Sequence, residues 1–242
     1  MPPGGAPRRW SRRQWLATAA DCSGLAALAL AAAGLSLPGV AANAANAPAA
    51  PAGPAAARRR LLIVGDSLSA EYGLARGTGW VALLEQRLAA ERLAWDVVNA
   101  SISGDTTSGG RSRLPALLAT HRPQVLVIEL GGNDALRGLP VDMTRANLDE
   151  MTRAGQAAGA RVLILGMQLP PNYGRAFGEA FAAVFEQVAQ ARGAAVLPFF
   201  LKGVADGPEP LALFQADRIH PNAQAQPILL ANVWPVLRPL LR

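Results

Sequence analysis

Leu61-Leu62-Ile63-Val64-Gly65-Asp66-Ser67-Leu68-Ser69 is the stretch on which the fold turns. Four consecutive apolar residues, ended by a glycine, describe a short strand buried on both faces, as in a parallel sheet. Small polar residues follow at once. In open parallel sheets, reactive groups collect just beyond the carboxyl ends of the strands. Ser67 falls two residues past such an end, where a serine serves either as a helix N-cap or as a nucleophile.

The same pattern recurs downstream. Trp95-Asp96-Val97-Val98-Asn99, Val125-Leu126-Val127-Ile128-Glu129-Leu130, Val162-Leu163-Ile164-Leu165 and Ala195-Val196-Leu197 read as four further strands. Between them lie helical stretches. Trp80, Val81, Leu84 and Leu88 share one face of a helix for which Thr78 is the expected N-cap. A second helix ends near His121, before Pro123, and a third runs from about 144 to 158. A fourth, from 177 to 192, carries Phe177, Phe181, Val184, Phe185 and Val188 on one side. Asn222 is the expected cap of the last. Strands alternating with helices over short connections predict an α/β fold: one five-stranded parallel sheet with helices on both faces. Residues 61–242 are read as a single domain.

The first sixty residues differ in kind. Ser11-Arg12-Arg13-Gln14-Trp15-Leu16 resembles the twin-arginine export signal, with Trp15 where phenylalanine is usual. An apolar run from Gly24 to Leu37 follows, then Ala-x-Ala-like sites ending at Ala42, Ala44 and Ala47. That order describes a cleavable signal over residues 1–47. The apolar run is too short for the ~20 residues of a membrane span, so no stable anchor is expected after processing. A Pro/Ala-rich linker covers 48–60, and the mature protein is expected to be periplasmic or secreted. Cys22, the single cysteine, lies in the signal and cannot form an intrachain disulfide.

A net charge of +6 and a pI near 10.8 invite a nucleic-acid reading, but the charge is misplaced for one. Seven of the 23 basic residues precede Leu61, opposed only by Asp21 among the 17 acidic ones. From Leu61 onward the two signs balance, and no basic footprint remains for a nucleic acid. The partner expected is a small molecule; oligomeric state is left open.

Three polar loops follow three strands, at Ser67, Gly104 and Asn133, and Asp217 with His220 precedes the last helix. A serine attacks only if a base takes its proton, the base is oriented, and the oxyanion finds donors. Ser67 as nucleophile, His220 as base and Asp217 as its orienting carboxylate satisfy the first two needs. The Gly104 N–H and the Asn133 amide satisfy the third. Glycine at 104 would let a substrate approach the backbone. His121, the only other histidine, reads as a surface residue at a helix end. Two histidines build no multi-histidine metal site, and neither metal nor other cofactor is expected.

Singly these motifs are weak; Gly-Asp-Ser and Gly-Gly-Asn-Asp are ordinary in turns. Their order, each at a strand end, is specific. Gly65-Asp66-Ser67-Leu68-Ser69, Gly104-Asp105-Thr106, Gly131-Gly132-Asn133-Asp134 and Asp217-Arg218-Ile219-His220-Pro221 closely resemble the four blocks of the SGNH (GDSL) hydrolases. The likeness spans 61–242. It is nearest to the bacterial thioesterase, protease and lysophospholipase branch, which includes arylesterases, through the stretches 99–106, 129–134 and 169–174. The resemblance implies a flavodoxin-like three-layer sandwich and a serine esterase acting on acyl esters and thioesters through an acyl-enzyme on Ser67. It also implies Asp217 and His220 as the rest of the triad. The oxyanion hole would comprise the Ser67 N–H, Gly104 and Asn133. Glu71, where this branch often has glycine, and Pro171, where alanine is common, leave substrate preference open.

Leu169 and Tyr173, in the Pro-rich loop 168–174, are candidates for the acyl-binding edge; an ordinary connection explains the same loop. An α/β-hydrolase proper is disfavoured because position 69 is serine where its elbow needs glycine. A carbohydrate O-acetylesterase on the same fold remains the alternative, with a non-catalytic binding module behind it.

Overall fold

The computed structural model describes residues 59–209 and 211–242. The expected signal, Cys22 and nearly all of the linker lie outside them. Five strands form one sheet: β1 (Arg59–Gly65), β2 (Trp95–Asn99), β3 (Val125–Glu129), β4 (Arg161–Leu165) and β5 (Ala195–Leu197). Every pair is parallel, in the spatial order β2-β1-β3-β4-β5. The helices are α1 (Trp80–Ala90), α2 (Thr107–His121), α3 (Gly132–Leu136), α4 (Val141–Ala157), α5 (Arg175–Arg192) and α6 (Gln226–Leu237). α1 packs with α6, and α4 with both α2 and α5. With right-handed crossovers these groups cover opposite faces of the sheet and complete the three layers.

Leu61–Val64 and Val125–Ile128 have no exposed surface, which is why the central strands are uninterrupted apolar runs. The chain leaves β1 for β2 on one side and later returns to place β3 on the other. The order therefore reverses around β1, and the crevice at such a reversal lies beyond the carboxyl ends of the strands beside it. Ser67, Gly104 and Asn133 follow those strands.

Five local expectations need correction. β1 starts at Arg59, two residues into the expected linker. There it pairs with Trp95 and Asp96, while the Arg59 guanidinium lies 5.6 Å from the centre of the Trp95 ring. Thr78 does not cap α1, because its hydroxyl donates to the Ala75 carbonyl and Gly79 occupies the cap position. The helix-end N–H groups are satisfied from afar: Gly79 by Glu71 Oε1 at 2.7 Å and Trp80 by Gln226 Oε1 at 3.0 Å. Gly131-Gly132-Asn133-Asp134 is more than a turn. It opens the five-residue helix α3, whose buried Asp134 accepts from the Thr107 N–H at 2.9 Å and from the Thr107 hydroxyl. Two helices also begin early, at Val141 and Arg175 rather than 144 and 177. Asn222 does act as a cap, accepting from Gln224 and Ala225 in the 3₁₀ turn that leads into α6.

Candidate active site

Ser67 lies in the turn after β1, with its Oγ 2.9 Å from His220 Nε2. On the other side of the imidazole, Nδ1 is 2.7 Å from Asp217 Oδ2. A carboxylate at its ordinary charge only accepts, so Nδ1 carries the proton and Nε2 is left to accept from Ser67. The three residues expected to act together thus form one hydrogen-bonded line.

The Asp217 loop is tight. Arg218 adopts a left-handed φ of 60°, and its N–H donates to the Gln215 carbonyl. This curl brings the N–H groups of Ile219 and His220 to Asp217 Oδ1, each at 3.0 Å. One carboxylate therefore accepts three bonds. The His220 and Ile219 N–H groups, followed by the His220 side chain, lower its carboxyl to about 2. It stays charged through the whole range in which an imidazole titrates.

Gly104 follows β2 with φ +79°, a conformation that side chains resist. Its carbonyl accepts from Arg137 at 2.7 Å. Beneath the loop, Arg113 of α2 pairs with Asp105 at 2.8 Å and donates to the carbonyls of Ala100 and Gly65. One guanidinium therefore ties the loops after β1 and β2 together.

Asn133, in the first turn of α3, is half-buried. Its Nδ2 donates to Asp66 Oδ2 at 2.9 Å, which fixes the amide and leaves a second N–H for another acceptor. Asp66 Oδ1 accepts from the Leu68 N–H at 3.0 Å, within the Ser67 turn. Only 2% exposed, Asp66 has its carboxyl raised to about 6, chiefly by burial. Glu129 lies next to it, because β3 pairs with β1 in the register Gly65 to Glu129. Its Oε2 accepts from the Ser69 hydroxyl at 2.7 Å and from the Asp66 N–H at 3.3 Å. Burial, then the charge of Asp66, holds its carboxyl well above the usual range. Ser69 in turn accepts from the Trp80 indole N–H at 3.1 Å. Asp66, Glu129, Arg113 and Trp80 are supporting residues that the sequence reading did not single out as such.

The structure does not join Leu169 and Tyr173 to this constellation through any polar contact. Leu169 is half-buried against the core, and Tyr173 closes a 3₁₀ turn, Pro171–Tyr173. His121 ends α2, and its carbonyl accepts from Arg60. Among the described residues there is no group of three or more His, Cys, Asp and Glu able to hold a metal. No helix among them is long and apolar enough to cross a membrane.

Residues 63–227 match the GDSL-like lipase/acylhydrolase family model. The chain is 55% identical over 186 residues to esterase TesA of Pseudomonas aeruginosa, an alignment covering 77% of this chain and 91% of that protein. It is 43% identical over 187 residues to thioesterase 1/protease 1/lysophospholipase L1 of Escherichia coli K12, covering 77% and 87%. Against an arylesterase of Vibrio mimicus the identity is 39% over 171 residues, covering 71% and 84%. A crystal structure of TesA, 54% identical, superposes with a TM-score of 0.72 over 75% of this chain and 99% of that one.

Proposed function

The chain belongs to the GDSL-like lipase/acylhydrolase family, and on that premise we propose that Ser67, His220 and Asp217 perform its chemistry. It is an enzyme that hydrolyses carboxylic esters and thioesters. Ser67 Oγ attacks the acyl carbonyl while His220 Nε2 takes its proton. Asp217 holds the imidazole in the required tautomer and steadies its positive charge. The Ser67 and Gly104 N–H groups and the free N–H of Asn133 receive the oxyanion. As the tetrahedral adduct collapses, its bond to the leaving oxygen or sulfur breaks. The His220 proton passes to that atom, and the acyl group stays on Ser67. Water, activated by the same imidazole, then releases the acid. Acyl chains of the kind implied by a thioesterase and lysophospholipase are the substrates, with Leu169 and Tyr173 at the acyl edge.

The observation that carries this reading is the continuous line from Ser67 Oγ to His220 at 2.9 Å and on to Asp217 at 2.7 Å. The segment 1–47 directs the chain out of the cytoplasm, so the substrates are met in the periplasm or outside the cell.

A hydrolysis panel of nitrophenyl esters, acyl-CoAs, lysophospholipids and acetylated sugars, with Ser67→Ala as control, tests the assignment. Turnover of acyl esters and thioesters that vanishes in Ser67→Ala supports it. Activity that survives in Ser67→Ala, or that is confined to acetylated sugars, overturns it.

A further inference from the structure

Five large apolar side chains stand about half exposed among the described residues: Tyr72, Ile102, Leu136, Leu211 and Ile219. They all belong to the connections that follow β1, β2, β3 and β5. Tyr72 is distinguished by its place against the triad. Its ring centre lies 4.3 Å from that of His220, the planes tilted by 37°, while half of its surface stays open.

The ring's backbone is held to both catalytic loops. The Tyr72 N–H donates to the Ser67 carbonyl at 3.3 Å. The Tyr72 carbonyl accepts from Gln215 Nε2 at 2.8 Å, and the same amide reaches the Pro221 carbonyl at 3.1 Å. The Gln215 N–H donates to the His220 carbonyl at 2.8 Å. Next to Tyr72, Gly73 has φ +69°, and a Cβ there would fall 2.0 Å from Gln215 Oε1. Gln215 is thus clasped between the Tyr72 and His220 loops, and the glycine admits it. A side chain that served only to cover His220 would need no open face.

The tetrahedral adduct says what meets that face. Its oxyanion points to Gly104 and Asn133, away from the imidazole. Its leaving atom must lie at His220 Nε2, from which it takes a proton. A substituent on that atom starts beside His220, and the exposed ring packed against His220 is that of Tyr72. We propose that Tyr72 is a leaving-group-binding residue and that the group it fits is aromatic. The inference rests on the esterase reading and specifies its substrate. An open, flat ring fixed through its backbone offers an offset or edge-on partner to another ring. A flexible alkyl chain on the same open surface would have to be ordered and would gain less.

Benzyl acetate and cyclohexylmethyl acetate separate the two cases, since they match in acyl group and nearly in leaving-group size and basicity. The kcat/KM ratio of benzyl over cyclohexylmethyl is measured for wild type, Tyr72→Leu and Tyr72→Phe. Tyr72→Leu is expected to lower the ratio about fivefold, equivalent to about 1 kcal/mol. Tyr72→Phe is expected to hold it within twofold. The ratio of ethyl hexanoate to ethyl acetate, which reads the acyl side, is expected to stay within twofold in both variants. Equal losses on benzyl and cyclohexylmethyl acetates overturn the proposal, because the ring then only packs His220. A shift confined to the hexanoate-to-acetate ratio overturns it by moving Tyr72 to the acyl side. Failure of the wild type on benzyl acetate, with ethyl acetate still hydrolysed, overturns it while leaving the esterase reading intact. Hydrolysis of no ester at all removes both.

Discussion

Replacing Asp66 by Asn should stabilise the fold in a pH-dependent way and slow the enzyme at the same time. Burial raises the Asp66 carboxyl from its ordinary 3.8 to about 6, against the lowering effect of its bonds from Leu68 and Asn133. Between those values the folded protein holds a proton that the unfolded chain has released. Stability therefore falls as pH rises through this window. A shift of about two units corresponds to about 3 kcal/mol. Asparagine titrates nowhere, so the stability of Asp66→Asn relative to wild type should climb by about that amount from below pH 4 to above pH 6. Glu129, raised by burial and then by the Asp66 charge, loses the second of these causes in the variant, so its own pH dependence shrinks and adds to the climb in the same direction. The gain is offset in function. If the new amide keeps its oxygen toward the Leu68 N–H, its own NH2 faces the NH2 of Asn133, and the 2.9 Å bond is lost. Loss of an oxyanion donor typically lowers kcat ~10²–10³-fold, and a donor present but unanchored should lower it about tenfold. Urea unfolding of both proteins from pH 4 to 7.5, with kcat on nitrophenyl acetate, measures both effects. A stability difference that does not change with pH would refute the buried-carboxylate argument. Unaltered kcat would refute the anchoring of Asn133.

Ser67→Ala and His220→Ala should each abolish nearly all turnover, and the double variant should be little worse than either, because the two act as one unit. His121→Ala should leave kcat near wild type. With Asp217 held at about 2, chiefly by backbone N–H groups, its protonation should contribute no acid limb to kcat/KM above pH 4; a limb in that range that is absent from Asp217→Asn would contradict it. Tyr173→Ala should change acyl chain-length preference more than activity on acetyl esters, and an equal loss on both would return the 169–174 loop to an ordinary connection. Replacing Arg12 and Arg13 with Lys should strand the precursor in the cytoplasm, as read by fractionation; unchanged export would point to the general secretory route.

The sheet was legible because burial on both faces leaves a mark that needs no partner to be seen. Leu61–Val64 and Val125–Ile128 are apolar at every position since neither face meets water. The nearness of Ser67, Gly104 and Asn133 was legible for a related reason: each follows a strand end, and strand ends gather at one edge of a parallel sheet. The cap of α1 was not. Thr78 has the right chemistry for a cap, yet the cap N–H groups go to Glu71, eight residues away, and Gln226, 146 residues away. Local propensity chose the nearest side chain, and tertiary contacts supplied better acceptors. α3 was missed because five residues are too few to show a helical period.

What holds the acting residues in place was hidden for a different reason. In a sequence, Asp66, Glu129, Arg113 and Gln215 read as solvated polar residues, since a charge announces its sign but not its neighbour. The parallel register is what sets Glu129 opposite Gly65 and so beside the Ser67 turn. Asp66 and Glu129 are buried and Arg113 and Gln215 partly so, and a polar group removed from water must find a partner, which then becomes fixed. Asp66 thereby fixes Asn133, Arg113 fixes the loops after β1 and β2, and Gln215 fixes Tyr72 to the His220 loop. Each link joins segments distant in sequence and passes through a side chain with no part in the bond-making steps. An esterase that must aim donors at an oxyanion and a proton at a leaving group needs its loops held to a fraction of an ångström. Loops alone do not provide that rigidity. These links supply it, and substitutions in them should therefore act on kcat while leaving Ser67, Asp217 and His220 in the chain.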